Sequence, residues 1–212
     1  MPLHRLTVNP FAENTYVLAD DAGEAVVVDP GMSDAAERDA FDALLRRHGL
    51  RLVGCWLTHA HVDHVLGVPH VYEAHGLRPR LHPGERPVYE ANPQVAAMYG
   101  MALAPLPAPA YDLADGAEIA VGALTLTQVL APGHSPASVC FHDAAGGYLL
   151  GGDVLFRESI GRTDLPGGNR DALLRSVRER VYALPPATVV WPGHGPETTV
   201  AHERAHNPFA RA

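Results

Sequence analysis

Apolar and polar positions along this chain repeat with two periods, a short one suited to strands and a longer one suited to helices. LHRLTV (3–8), TYVLAD (15–20) and the valine run of EAVVVDPG (24–31) are short, β-branched and bounded by turn residues, so each predicts a strand. In SDAAERDAFDALLRRHGL (33–50) the spacing lengthens. Phe41, Leu44 and Leu45 share one helical face, arginines gather near the end, and Gly49 stops the helix. Ser33 is the expected N-cap. RLVGCWLTH (51–59) predicts a buried strand, and VLGVPHVYEAHG (65–76) a helix that tolerates Pro69 and ends at Gly76.

The second half repeats the scheme. ERPVYEANPQVAAMYGM (85–101) predicts one or two helical pieces, and PLPAPAYDL (105–113) a proline-rich loop. AEIAVG and ALTLTQVLA alternate cleanly around Gly122, which predicts a hairpin; SVCFHD and GYLLGGD predict another strand pair. RDALLRSVRERVYAL (170–184) predicts a helix capped by Asn169 or Asp171, ATVVWPGHG (187–195) a last strand and turn, and ETTVAHERAHNPF (197–209) a terminal helix. Strands alternating with helices in both halves, with hairpins between, point to an α/β protein of mixed sheets covered by helices. A faint twofold echo runs through the chain. Strand, turn, ligand-type residues and helix occur near His59, and again near Asp153 and His194.

Composition narrows the class. At 212 residues with 47% apolar content, the chain can build a sizeable core as one domain and is not a disordered segment. A net charge of −8 with no Lys/Arg-rich run argues against a nucleic-acid partner. Cys55 and Cys140 lie in apolar stretches and read as buried free thiols, which suits a reducing compartment. No apolar run approaches the ~20 residues of a membrane span, and the N-terminal segment lacks an apolar signal core. A cytoplasmic protein without a membrane partner is expected.

The 13 histidines are the compositional outlier, so their positions matter. His59, His61, Asp63 and His64 follow LVGCWL; His134 follows LTQVLAPG; Asp153 follows YLLGG; His194 follows TVVWPG. Each falls in the turn after a predicted strand, where α/β sheets collect their sites. Gly133, Gly152, Gly193 and Gly195 stand beside them and let the backbone turn sharply. These are seven donors with no cysteine, more than one closed tetrahedral site uses. They fit two adjacent ions with room for water, although one ion could activate water in the same way. Imidazole with carboxylate suits zinc, iron or manganese. The remaining histidines read as surface or packing residues.

THAHVDH (58–64), PGHS (132–135), GGD (151–153) and PGH (192–194), in that order, resemble the metallo-β-lactamase superfamily, and VVVDPG with Asp29 resembles its early strand and turn. The resemblance implies a four-layer αβ/βα sandwich of two mixed sheets with the metals at one edge. It implies two divalent ions, zinc first among them. His59, His61 and His134 would hold one, and Asp63, His64 and His194 the other. Asp153 would bridge them and Asp63 would orient the attacking hydroxide. Asp29 and Thr58 would fix imidazole orientation from behind. GRTDLPGG (161–168) and PGHGPETTVAHERAHNPF (192–209) resemble the glyoxalase II-like branch, the hydroxyacylglutathione hydrolases, which implies a small-molecule thioester substrate. Full-length members continue into a helical glutathione-binding domain, whereas this chain stops eighteen residues after His194. A single domain over residues 1–212 is therefore expected. Arg162 is a candidate contact for a substrate carboxylate, with an ion pair to Asp164 as its alternative. Two other activities share the motif set: a persulfide dioxygenase with one iron on His59, His134 and Asp153, and a lactone or β-lactam hydrolase. A homo-oligomer remains open.

Overall fold

Strand β2 (Glu13–Ala19) is buried along its whole length, and its alternate side chains enter two different cores. Tyr16 and Leu18 join Val26, Val28, Trp56, Leu126, Phe141 and Leu150 between two sheets. Val17 and Ala19 point the other way, into a core with Phe41, Leu45, Val68 and Val71. Successive side chains of a strand face opposite ways, so a strand apolar on both faces must be covered on both. The structure is a computed structural model that describes residues 3–211.

The first sheet holds β1 (Leu3–Val8), β2, β3 (Glu24–Val28), β4 (Arg51–Trp56) and β5 (Pro79–Arg80) in that order. The first three are antiparallel, and β3, β4 and β5 run parallel to one another. Helices α1 (Ala35–His48), α2 (Val68–His75) and α3 (Arg86–Met98) follow, and Phe41, Val71 and Tyr89 pack on the outer face of this sheet. The second sheet is built from β6 (Glu118–Val121), β7 (Leu124–Leu130), β8 (Val139–Asp143) and β9 (Tyr148–Gly152). A two-stranded ribbon, β10 (Leu155–Phe156) and β11 (Ser159–Ile160), and helix α4 (Arg170–Ser176) come next. Then β12 (Val189–Pro192) pairs parallel with β9 and β13 (Thr198–Thr199) closes that edge, before α5 (Val200–His206). Leu173, Val177 and Val181 cover the outer face of the second sheet. Two mixed sheets face each other with helices outside both, the four-layer sandwich expected.

Local details depart from expectation for identifiable reasons. The cap of α1 is Asp34, whose carboxylate accepts from the Glu37 N–H at 2.9 Å. Ser33 lies one residue earlier and donates from its hydroxyl to the Glu37 carboxylate at 2.9 Å. Residues 86–98 form one helix in spite of Pro93. The terminal segment starts as strand, because Thr198 and Thr199 pair with Val190 and Val189, and Thr199 then caps the shorter α5. Asn169, not Asp171, caps α4, and the helix widens into a π-turn over Val177–Val181. Cys55 and Cys140 are buried free thiols, and burial pushes the Cys140 thiol up to about 12. Among the described residues no helix is long and apolar enough to cross a membrane.

Candidate metal centre

Parallel pairing brings the ends of β3 and β4 together, and likewise those of β9 and β12. The turns after those strands carry Asp29, Thr58 to His64, Asp153 and His194. The loop between β7 and β8 adds His134. The two sheets are tied at this edge, where the Asn14 N–H donates to the Gly193 carbonyl at 2.7 Å.

The seven predicted donors converge. Ligand-type atoms of His59, His61 and His134 all lie within 4.8 Å of one another, and so do those of Asp63, His64 and His194. Asp153 reaches both groups. Its Oδ2 is 3.4 Å from His134 Nε2 and 3.5 Å from His194 Nε2, and its Oδ1 is 3.5 Å from His64 Nε2. Two imidazole nitrogens, His61 Nδ1 and His134 Nε2, face each other at 2.8 Å.

Hydrogen bonds behind the rings fix which nitrogen points inward. His134 Nδ1 donates to the Arg162 carbonyl at 2.8 Å and His194 Nδ1 to the Phe11 carbonyl at 3.1 Å. His64 Nδ1 donates to Asp29 Oδ2 at 3.1 Å. His59 Nδ1 is 3.0 Å from Thr58 Oγ1, which itself donates to Asp29 Oδ2 at 2.6 Å. In all four rings Nε2 is thereby the nitrogen turned toward the cluster. Asp29 also groups geometrically with His59 and His64. However, Oδ1 accepts from the Thr58 N–H at 2.7 Å and Oδ2 takes two further donors, so this carboxylate orients its neighbours and has little left for an ion.

Three inward-facing atoms are buried without any protein hydrogen-bond partner: His59 Nε2, His64 Nε2 and Asp153 Oδ1. Orphaned buried polar atoms are costly, so their clustering at one point is the mark of a place for a cation. The electrostatics agree. Burial and the other imidazoles hold His59 far below its ordinary range and bring His61 down to about 3. Burial works against the charge of Asp153, but His64, His134 and His194 outweigh it and hold the carboxyl low. The same carboxylates overcome burial at His64 and raise its ring, and they raise His194.

Small residues make the approach feasible. Gly152 adopts φ +49°, and a Cβ there would run into Thr58 Oγ1; a Cβ on Gly193 would run into Asp153 Oδ1.

Several supporting residues carry no motif and escaped the sequence reading. Buried Glu85 accepts from the Ala60 N–H at 3.0 Å, from Ser135 Oγ at 2.6 Å and from the Ala137 N–H at 2.7 Å, stitching the His59–His61 turn to the His134 loop. Asn92 donates to the Ala60 carbonyl at 2.8 Å and Asn9 to the Asp63 carbonyl at 2.9 Å. Asn14 donates to the Pro192 and Gly195 carbonyls at 3.1 and 2.9 Å, holding the His194 turn. Buried Glu13 lies 3.8 Å from His64 Nδ1, and burial drives its carboxyl well above the usual range. Nothing in the local sequence marks them: Glu85 lies in HPGERP and Asn92 in EANPQ.

The cluster opens on a cleft of about 760 Å³, lined on one side by α3 and on the other by the β10–β11 ribbon and residues 162–167. Arg162 lines it, but both guanidinium contacts, at 2.7 Å, go to Asp164. A substrate carboxylate would have to displace Asp164.

Comparison with known proteins places this geometry. A family model described as the metallo-beta-lactamase superfamily matches residues 8–194. The Bacillus subtilis (strain 168) "Probable metallo-hydrolase YqgX" is 36% identical over 211 residues, 99% of this chain and 97% of its own. "Hydroxyacylglutathione hydrolase GloC" of Haemophilus influenzae is 28% identical, covering 99% and 98%. Among solved structures, the BLEG-1 B3 metallo-beta-lactamase superposes with a TM-score of 0.88 at 34% identity, over all of both chains. TTHA1623, solved in a di-iron-bound form, superposes with a TM-score of 0.87 at 40% identity, over 97% of this chain and 99% of its own. The chain belongs to the metallo-beta-lactamase superfamily.

Proposed function

We propose that this member of the superfamily is a metal-dependent hydrolase and, within that class, a thioesterase of the glyoxalase II type acting on acyl-glutathione or a related thioester. The observation that carries the hydrolase reading is the convergence of seven donors, three of whose inward atoms (His59 Nε2, His64 Nε2 and Asp153 Oδ1) lack a protein partner, beside a cleft. The segments GRTDLPGG and PGHGPET, together with the similarity to GloC, support the thioester.

His59, His61 and His134 would hold one divalent ion and Asp63, His64 and His194 a second, with Asp153 reaching both. Ions bound there would bring the pKa of a coordinated water down to about 7 and polarise a carbonyl oxygen. The chain supplies the rest. Asp63 lines the cleft with Oδ2 3.1 Å from His194 Nε2, placed to accept a proton from an attacking water and to aim it. The apolar walls line the approach to the reacting carbonyl. A thiolate leaves without an acid partner, since a thiol has a pKa of about 8.5.

The deciding experiment is a panel of acyl-glutathione, acyl-CoA, lactone and β-lactam substrates, with metal content measured on the same sample. β-Lactams belong in it because BLEG-1 is a B3 metallo-beta-lactamase. Hydrolysis of thioesters should stop on chelation and return with zinc or iron. Iron is a specific candidate because TTHA1623 was solved with two irons. Thioester hydrolysis that survives complete metal removal would refute the mechanism. One iron per chain with rapid oxygen uptake on glutathione persulfide would replace it by the dioxygenase, for which Asp63, His64 and His194 would have no evident role.

Metal loading should depend on pH in two stages. His61, held near 3, is a free base throughout the neutral range, whereas His64 and His194 have raised proton affinity and must release protons to bind an ion. As pH falls through and below the neutral range, the ion on Asp63, His64 and His194 should leave first. Elemental analysis after dialysis at each pH tests this; simultaneous loss of both ions would contradict it.

A further inference from the structure

The walls of the cleft beside the cluster carry almost no polar chemistry of their own. Helix α3 turns Val88, Ala91 and Val95 toward it, spaced to fall on one helical face, and its C-cap Tyr99 lines it too. Val88 and Val95 are half-buried against core residues and also face the cleft, so this apolar face serves both. Phe156, Ile160 and Leu165 line the opposite wall. Phe11, from the β1–β2 turn, meets Tyr99 edge-on at 5.3 Å between ring centres and narrows the mouth. Of the polar groups outside the donor cluster, Ser159 adds one hydroxyl, and Asn92 spends both amide hydrogens on the Ala60 and Tyr89 carbonyls while its Oδ1 has no protein partner. Arg162, the only Lys or Arg among the described lining residues, is held by Asp164.

Glutathione carries two carboxylates and one ammonium, and a protein that recognises it must offer partners for them. Among the described residues, the only cationic side chain of the Lys/Arg type lining this cleft is the Asp164-paired Arg162, and the chain as a whole carries −8. What it does offer is apolar area at both walls, within reach of the donors. Apolar area has no directional requirement and rewards each methylene buried. We propose that the cleft selects its substrate by a hydrocarbon group, a medium-length alkyl chain or an aryl ring on the acyl side of the scissile bond, and that it does not read the carboxylates of the leaving thiol. This rests on the thioesterase reading above and narrows it to apolar acyl thioesters on any small thiol carrier.

Binding of non-hydrolysable thioethers tests this without turnover. Two series, S-alkylglutathione and S-alkyl-N-acetylcysteamine, each with methyl, propyl and hexyl groups, are titrated calorimetrically into the metal-loaded chain. Affinity should rise about threefold per methylene, or about 30-fold from propyl to hexyl. The two hexyl compounds should agree within about threefold, because neither carrier is clamped. Ala91→Asp and Leu165→Asp, from opposite walls, should each shrink the hexyl-over-methyl advantage at least tenfold. A flat alkyl series would overturn the proposal. So would a glutathione series more than tenfold tighter than its partner, or an unchanged advantage in both variants. If the alkyl series behaves as expected but no thioester is hydrolysed, the reaction assigned to the site falls and the selection by hydrocarbon stands.

Discussion

With the site filled as proposed above, Asp153→Asn is expected to lower kcat/KM by about 10³-fold, about 4 kcal/mol of transition-state stabilisation, and to reduce the amount of metal bound. The effect is large because one carboxylate serves both halves of the site. Its two oxygens lie 3.4–3.5 Å from His134, His64 and His194, and Oδ1 has no other partner. Three imidazoles around it hold the carboxyl low, so it is an anion across the working pH range. Asparagine keeps the shape and removes the charge. The residue is nearly buried, and a lost charge in such a place is poorly replaced by solvent. Kinetics and elemental analysis on the same preparation check the result. A loss below tenfold with both ions retained would show that Asp153 is not the shared ligand.

The layout of the fold was legible because most strands here announce themselves. EAVVVDPG and RLVGCWL are apolar on both faces, which only a strand covered twice can be, and the ligand residues follow such segments directly. The donors were legible for the same reason: histidines and carboxylates beside glycines, just past an apolar strand, have few other uses. The support behind them was not. Asp29 stands in VVVDPG and could be named, but the bond from Thr58 Oγ1 that passes its orientation to His59 is a tertiary fact. Glu85 sits in HPGERP with no pattern around it. It matters only because folding brings Ala60, Ser135 and Ala137 to it across 25, 50 and 52 positions of chain. Residues 85–101 were legible as helical pieces, but which of their side chains line the cleft is a tertiary fact. The cap of α1 is Asp34 and not Ser33 because the Asp34 carboxylate takes the Glu37 N–H while the Ser33 hydroxyl donates to the Glu37 side chain.

That hidden carboxylate yields the second large effect. Glu85→Ala removes an acceptor that three buried donors share and leaves the Ala60 N–H, Ser135 Oγ and Ala137 N–H without it in a closed space. Each unmet buried donor costs roughly 1–3 kcal/mol, so the variant loses about 4 kcal/mol of stability. For a chain of this size that lowers Tm by about 10 °C. The metal site should suffer separately. Ala60 lies between His59 and His61, and Ser135 follows His134, so Glu85 holds in register the two loops that bring those three imidazoles within 4.8 Å. Loss of such a brace costs about 10–100-fold in metal affinity. Glu85→Gln separates the two contributions. An amide keeps one acceptor oxygen and the side-chain volume, so Gln should recover most of the lost Tm. Its amide group, however, would present donors to the Ala60 or Ala137 N–H, which can only donate, so metal affinity should recover only in part. Thermal unfolding of metal-free protein and competition with a chelator of known affinity measure the two separately. If Ala lowers Tm while metal affinity stays within twofold of wild type, Glu85 is a packing residue alone.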